Sequence, residues 1–172
     1  MRLLFEMDKK DHADCKQDFV RNSARSIIIS NKKLAMIHSV KYDYYKFPGG
    51  GIERGESTVD AMIRETREEA GLVVKPETVK EYGYVHRVQK SDQNPENRFV
   101  QDNFYYLCEA EDEVVSQCLD QYESDEHFAL EFVDPQTVIA KNRNVGPSPY
   151  NGLMFEREAR IVELLISEGL LD

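Results

Sequence analysis

The chain has 172 residues, 41% of them hydrophobic and 31% charged, which predicts one globular domain spanning residues 1–172. Its formal net charge of -10 at pH 7 disfavours polyanionic partners, so neither a nucleic acid polymer nor an anionic membrane is expected. The sequence has no stretch near the roughly 20 apolar residues of a membrane helix, no signal peptide pattern and only three widely spaced cysteines. We therefore expect a cytoplasmic protein with reduced thiols.

The first part of the chain predicts a lead-in followed by strands. Residues 1–22 are polar and charged, and they predict an irregular N-terminal lead-in. Two strand-like segments follow, at 26–29 and 34–40, and they predict a hairpin; residues 42–47 are rich in aromatic side chains. Pro48 and the glycines at 49–51 then break regular structure and allow the backbone to approach another group closely.

A helix and further strands are predicted after the glycines. Ser57 is typical of a helix N-cap and Gly71 of a helix stop, so a helix is expected between them. Later strand-like runs lie at 79–88, 99–109 and 128–133. Asp134 and Pro135 form a good helix start, and 153–165 has the pattern of a closing amphipathic helix. This order lacks a regular βαβ alternation, so it favours an α+β fold with helices flanking a mixed sheet.

The predicted helix after Ser57 has two chemically different sides. At about 100° per residue, one sector is lined by Val59, Met62, Ile63, Thr66 and Ala70. Glu65, Glu68 and Glu69 share a different sector, where they repel one another by tenths of a kcal/mol per pair. A divalent cation would supply the missing counter-charge, and oxygen ligands suit Mg²⁺ or Mn²⁺. A solvated acidic face is the alternative for this helix taken alone.

The loop before the helix favours the metal-binding interpretation. The segment runs Gly50, five residues, Glu56, seven residues, Arg64-Glu65-Thr66, one residue, Glu68-Glu69, one residue and Gly71-Leu72. It resembles the signature of the Nudix (MutT-like) hydrolase family, with Thr66 at a usually aliphatic position as the one departure. The preceding Phe47-Pro48-Gly49-Gly50 is also similar to the lead that family members place before this segment.

The resemblance implies an α/β/α sandwich with a mixed β-sheet and a loop-helix-loop catalytic motif. It implies metal-dependent hydrolysis of a diphosphate linkage in a nucleoside diphosphate derivative, with Mg²⁺ or Mn²⁺ as the cofactor. The metal ligands that it implies are a backbone carbonyl of Gly50, or of Gly49, and the carboxylates of Glu56, Glu65, Glu68 and Glu69. Arg64 matches the arginine that orients these glutamates.

The sequence leaves more than one candidate for the general base and for the substrate contacts. Glu65 competes for the role of base with an acidic cluster, Glu123, Asp125 and Glu126. Within that cluster Glu126 is favoured because it lies just before the strand at 128. Phe47 is a candidate for stacking on a nucleobase, and Arg87 and Arg98 are candidates for contacts with phosphate oxygens.

The substrate stays open between nucleotide sugars or ADP-ribose, noncanonical nucleoside triphosphates and other diphosphates. The family's subfamily markers some fifteen to seventeen residues beyond the segment are missing, since Arg87-Val88-Gln89 occupies that stretch. The alternative function is a Nudix-like nucleotide-sensing or binding module that does not hydrolyse, although the retained glutamates favour catalysis. Homodimers are common in the family, but no segment of this chain specifies one.

Overall fold

A computed structural model describes residues 1–171 of the chain. The strands are β1 (Leu3–Asp8), β2 (Gln17–Val20), β3 (Ser23–Ile27), β4 (Ile29–Ser30), β5 (Lys33–Ser39), β6 (Tyr44–Lys46), β7 (Gly49–Gly51), β8 (Leu72–Val74), β9 (Lys80–Lys90), β10 (Asn97–Leu107), β11 (Ala110–Val114) and β12 (Phe128–Val133). The helices are α1 (Thr58–Ala70), α2 (Gln121–Asp125), α3 (Pro135–Arg143) and α4 (Gly152–Ser167), with a 3-10 turn at Pro76–Thr78.

The strands form two larger sheets and one small one. The first has the order β1-β9-β10-β3-β7, and β2 also pairs with β10. It is mixed, because β9 and β10 are antiparallel whereas β1 runs parallel to β9 and both β2 and β3 run parallel to β10. The second sheet is antiparallel, with the order β12-β5-β4 and with β6 also paired to β5. Strands β8 and β11 pair separately.

The two larger sheets lie between two helical layers. Successive residues of β5 alternate between them: Leu34 and Met36 belong to the apolar cluster that includes Ile161 of α4. Ala35 and Ile37 belong to the cluster around α1. This alternation is the two-residue period of a strand that is buried on both faces. The predicted α+β fold, an α/β/α sandwich with a mixed sheet, is confirmed.

Local capping sets both ends of α1. The Ser57 hydroxyl accepts a hydrogen bond from the Asp60 N–H at 3.0 Å, which satisfies a free donor of the first turn. Gly71 adopts φ 67° at the C-terminus, where its N–H donates to the Arg67 carbonyl at 2.9 Å. The predicted helix boundaries are therefore correct.

Two local predictions are wrong. Residues 1–22 are not an irregular lead-in, because β1 and β2 add to the first sheet and Met7 is buried in the core. Their polar residues reflect the exposed edges of that sheet. The glycines at 49–51 do not end regular structure, because they form β7, which pairs antiparallel with β3.

No helix in residues 1–171 is long and apolar enough to cross a membrane.

Candidate active site

Arg64 of α1 holds three glutamates and the glycine loop together. Its guanidinium donates to both Glu56 oxygens at 2.8 and 2.9 Å and to the Gly51 carbonyl at 3.1 Å. Its Nη1 donates to Glu65 at 2.8 Å and to Glu68 at 3.0 Å. Hydrogen bonding from Arg64 lowers the pKa of Glu56, and hydrogen bonding to Glu56 raises the pKa of Arg64. Arg64 thus contacts all three carboxylates, and its role in orienting them stays a prediction.

Glu69 points into the interior. Its side chain is 1% exposed, and its oxygens accept hydrogen bonds from Lys46 Nζ at 2.5 Å and from the Gly49 N–H at 3.0 Å. Burial raises the pKa of Glu69 to about 7, against the opposing charge of Lys46. The prediction that all three glutamates are displayed on one surface is therefore wrong for Glu69, which joins α1 to β6 and β7.

Gly50 and Glu65 are packed against each other. A Cβ placed on Gly50 would lie 2.3 Å from Glu65 Oε2 and 2.6 Å from its Cδ, both far inside a normal contact. The missing side chain at Gly50 is therefore what lets the carboxylate of Glu65 approach the loop backbone. Burial raises the pKa of Glu65, with Arg64 acting in the opposite direction.

An acidic cleft of about 380 Å³ opens beside this loop. Its charged lining consists of five carboxylates and two guanidinium groups, from Glu53, Glu65, Glu68, Asp120 and Glu123 and from Arg21 and Arg64. Carboxylate oxygens are the donors that Mg²⁺ or Mn²⁺ prefers. Five carboxylates against the single thiol of Cys118 therefore fit such a cation.

The glutamate oxygens do not yet form a metal cage. Within residues 1–171, no three acidic, histidine or cysteine side chains are grouped closely enough to hold a metal ion. Glu65 and Glu68 are both turned toward Arg64, as their hydrogen bonds show. A bound cation would have to compete with Arg64 for these oxygens.

A basic cavity of about 310 Å³ lies next to the acidic cleft, and Arg21 and Gly51 line both. Its charged lining, among the residues that the structure describes, is entirely cationic: Arg21, Arg25, Lys46, Arg87 and Arg157. Its aromatic lining consists of Tyr44, Phe99, Tyr122, Phe128 and Tyr150. Cations can hold phosphate oxygens and aromatic rings can stack on a nucleobase, so the two cavities together suit a metal-bound phosphorylated ligand.

Residues 20–151 match the NUDIX domain family. This range includes the glycine loop, α1, and the two residues that line both cavities, Arg21 and Gly51. The chain belongs to the Nudix family. We call residues 50–72 its Nudix segment.

Two curated relatives match this Nudix protein over short stretches. The U8 snoRNA-decapping enzyme of Homalodisca vitripennis is 32% identical over 68 residues, which are 39% of this chain and 36% of that protein. The RNA pyrophosphohydrolase of Ruthia magnifica subsp. Calyptogena magnifica is 44% identical over 48 residues, 27% of each chain. The matches thus span about a third or less of the relatives' own length.

Solved structures share the fold at low sequence identity. A Nudix hydrolase from Nitrosomonas europaea aligns with a TM-score of 0.59 and 16% identity over 85% of this chain and 89% of its own. A MutT structure from a study of Aliivibrio salmonicida and Vibrio cholerae aligns with a TM-score of 0.54 and 20% identity, over 87% of this chain and 99% of its own. At such identities, these structures support the fold alone.

The structure brings two of the predicted substrate contacts, Phe47 and Arg98, to neither cavity. Phe47 is fully buried, and its ring packs edge-on against Tyr105 with centroids 5.8 Å apart, so it has no face for a nucleobase. Arg98 lies on the exposed start of β10, where it pairs with Asp18 at 2.8 Å, outside both cavities. Arg87 does line the basic cavity, and its role there stays a prediction.

Glu126 is also misplaced for the role of general base. It is 4% exposed, and its carboxylate accepts hydrogen bonds from Ser39 at 2.7 Å, from Tyr44 at 3.0 Å and from Tyr150. It lies in a buried tyrosine cluster and not in the lining of the acidic cleft. Its hydrogen bonds tie α2's C-terminal end to β5, β6 and the segment before α4.

Within the predicted acidic cluster, Glu123 and not Glu126 lines the acidic cleft. It lines the acidic cleft with Glu65, and the Asp120 N–H and the Tyr122 hydroxyl donate to its oxygens at 2.8 and 2.9 Å. The sequence signal that could have found it is Asp120 followed three residues later by Glu123, the spacing of a helix capping box. That pattern marks a helix start there and fixes which way the glutamate points.

Proposed function

We propose that this Nudix protein is a metal-dependent hydrolase that cleaves a diphosphate linkage in a nucleoside diphosphate derivative. The observation that supports this most directly is that the acidic cleft and the basic cavity adjoin at Arg21 and Gly51, which line both. A diphosphate bound at this junction would have cation-binding carboxylates on one side and cationic side chains on the other.

The residues that would hold Mg²⁺ or Mn²⁺ are Glu65 and Glu68, with Glu56, Glu69 and the Gly50 carbonyl as the further predicted ligands. When bound, the ion would neutralise diphosphate oxygens and lower the pKa of an attacking water. Arg64 would hold Glu65 and Glu68 in place by the hydrogen bonds already described. Glu69 would act chiefly by fixing Gly49 against α1.

Glu65 and Glu123 are the two candidates for the group that accepts the proton of the attacking water. Both line the acidic cleft, and both are held by hydrogen bonds from neighbouring groups. Pre-oriented carboxylates of this kind need little rearrangement to take a proton. Glu126 is no longer a candidate because its oxygens are occupied by three hydroxyl groups.

The proposed substrate is a small molecule. The net charge of -10 repels a long polyanion, whereas bound cations can neutralise the charge of a small phosphorylated ligand. The two curated relatives are nevertheless named for RNA, so a 5′-triphosphorylated RNA belongs among the compounds tested.

Release of phosphate or nucleotide, measured with Mg²⁺, with Mn²⁺ and with a chelator, tests the proposal. The panel is ADP-ribose, nucleotide sugars, dinucleoside polyphosphates, nucleoside triphosphates and the triphosphorylated RNA. Glu68→Gln is the test variant, because Glu68 is 41% exposed and its loss should spare the fold, unlike loss of the buried Glu69. Glu77→Gln is the matched control, an exposed glutamate in the 3-10 turn.

We expect metal-dependent turnover that Glu68→Gln reduces at least about 100-fold, since even indirect partners of metal ligands are worth 10- to 100-fold. Glu77→Gln should keep the wild-type rate. Turnover without a divalent metal, or an unchanged Glu68→Gln, would contradict the mechanism.

Thermal unfolding distinguishes the hydrolase from the alternative function, a nucleotide-binding module that does not hydrolyse. A ligand present at about 100 times its Kd stabilises the folded state by about 2.7 kcal/mol, which corresponds to a Tm rise of about 5 to 10 °C for a chain of this size. A rise of this size with nucleotide and Mg²⁺, without turnover of any compound, would replace the hydrolase with a nucleotide-binding module.

A further inference from the structure

Arg87 of β9 carries a buried charge that lacks a counter-charge. The residue is 8% exposed and lines the basic cavity, with its guanidinium 5.6 Å from the centroid of the Phe99 ring. Its hydrogen bonds go from Nε and Nη2 to the neutral Gln89 Oε1, at 3.0 and 2.6 Å. It forms no ion pair in the part of the chain that the structure describes. Buried charges are normally paired, so this guanidinium indicates a missing anion.

Two further guanidinium groups in the cavity share one carboxylate. Arg157 Nη2 contacts Glu158 Oε1 at 2.5 Å, and Arg25 Nε lies 4.0 Å from the same oxygen. Arg25 Nε is buried and has no hydrogen-bond partner within residues 1–171. Arg25 itself is 7% exposed and lines the basic cavity. The unpartnered donor is a second sign, independent of Arg87, that a ligand atom belongs in this cavity.

The arginines and most of the aromatic rings come from different parts of the fold. Arg25 and Arg87 belong to the first sheet, on β3 and β9, whereas Tyr44 and Phe128 belong to the second sheet. Tyr150, from the segment before α4, packs near Tyr44 with centroids 5.9 Å apart. Both sheets thus line the cavity, and cations and rings alternate in it, because Arg87 lies beside Phe99 and Lys46 lies 4.6 Å from the centroid of the Phe128 ring.

Burial and the nearby charges of Arg157 and Arg25 lower the pKa of Arg87 to about 10, which still leaves it protonated near neutral pH. Asp92 lines a smaller adjoining cavity with Arg87, but it bonds to Gln89 at 3.3 Å and not to the arginine. A group with several negatively charged oxygens would satisfy Arg87 and Arg25 together, and a phosphoryl group has this form.

We propose that Arg87 and Arg25 form a binding site for a phosphoryl group of the substrate that lies beyond the scissile diphosphate. The inference rests on the proposed function and narrows it. Substrates with three or more consecutive phosphates carry such a group, whether as free nucleoside triphosphates or at a 5′-triphosphorylated RNA end. Nucleotide sugars with a neutral hexose lack it, so they would leave Arg87 without a counter-charge and Arg25 Nε without a hydrogen-bond partner.

A binding measurement tests the site without any need for catalysis. Isothermal titration calorimetry with inorganic tripolyphosphate, in the presence of a chelator, is compared for wild type, Arg87→Gln and Arg98→Gln. Arg98 is the matched control because it is an arginine paired with Asp18 at the surface, outside the cavity. We expect Arg87→Gln to weaken binding by about 10- to 100-fold, as for loss of a hydrogen bond to a charged group, and Arg98→Gln to change it less than about twofold.

A kinetic comparison tests whether the site selects the substrate. UTP is paired with UDP-glucose, and ATP with ADP-glucose, so that each pair differs only in whether the third group is phosphate or a neutral hexose. We expect wild type to favour the triphosphate in kcat/KM and Arg87→Gln to lose most of that preference by raising KM for the triphosphate. A 5′-triphosphorylated RNA oligomer distinguishes the polymer end from the free nucleotide.

The outcomes separate this inference from the proposed function. If metal-dependent turnover occurs but Arg87→Gln affects each member of a pair equally and binds tripolyphosphate like wild type, the phosphoryl site is wrong and the hydrolase stands. If no compound turns over but tripolyphosphate binding still depends on Arg87, the site stands and the hydrolase is wrong. If Arg98→Gln weakens tripolyphosphate binding as much as Arg87→Gln does, the effect comes from the loss of any positive charge, and the proposed site is wrong.

Discussion

Gly49 and Gly50 are neighbours in β7, yet an alanine at each should have a different effect. At Gly49 the added Cβ would lie 2.2 Å from the Ala24 carbonyl oxygen and 2.6 Å from Arg25 Cα, which are backbone atoms of β3. At Gly50 it would meet the carboxylate of Glu65, the movable end of a side chain. We therefore expect Gly49→Ala to damage the fold and Gly50→Ala to damage the site.

The magnitudes follow from these contacts. Gly49 has φ 140°, a conformation that costs an L residue about 1–3 kcal/mol, and the clash with β3 adds about 1–3 kcal/mol of overpacking. Gly49→Ala should therefore lose about 2–6 kcal/mol of unfolding free energy. At Gly50, Glu65 Oε2 has to retreat by roughly 1 Å, and a displacement of that size in an active site can lower the rate about 100-fold.

Urea unfolding and metal-dependent hydrolysis, measured on the same preparations, check this pair of predictions. Gly146→Ala is the control, since a Cβ there meets nothing within 4 Å. Gly50→Ala should unfold within about 1 kcal/mol of wild type while its rate falls. Full activity in Gly50→Ala, or equal destabilisation of both variants, would refute the assigned contact between Gly50 and Glu65.

Three further predictions concern charged groups outside α1. Glu123→Gln should lower kcat more than Glu126→Gln in steady-state assays, because only Glu123 lines the acidic cleft; the reverse order would restore Glu126 as the base. Glu158→Gln should cost about 3–5 kcal/mol in urea unfolding by leaving Arg157 buried without its partner. Burial opposes ionisation of Glu158, but the charge of Arg157 outweighs burial and lowers the pKa of Glu158. The wild type should therefore lose stability as the pH falls below 4.5, whereas the stability of Glu158→Gln should decline less steeply over the same range. Arg87→Gln should unfold at the same or a higher temperature than wild type without ligand, because it removes an unpaired buried charge; a marked loss would mean that Arg87 supports the fold.

The sequence determined the parts of this protein that depend on local interactions. The ends of α1 follow from Ser57 and Gly71, whose cap hydrogen bonds reach only a few residues along the chain. The spacing of Arg64 and Glu68 likewise predicts their contact, since side chains four positions apart on one helix are within reach. The Nudix segment could therefore be identified without any structure.

Tertiary structure alone decided what faces that segment. Arg25, Arg87 and Arg157 come from β3, β9 and α4, and only strand pairing and helix packing bring them into one cavity. The burial of Phe47 and the choice of Glu123 over Glu126 depend in the same way on distant partners. Local periodicity gives which side of an element is apolar, but burial and charge pairing are set by contacts between residues far apart in sequence, which no single segment encodes.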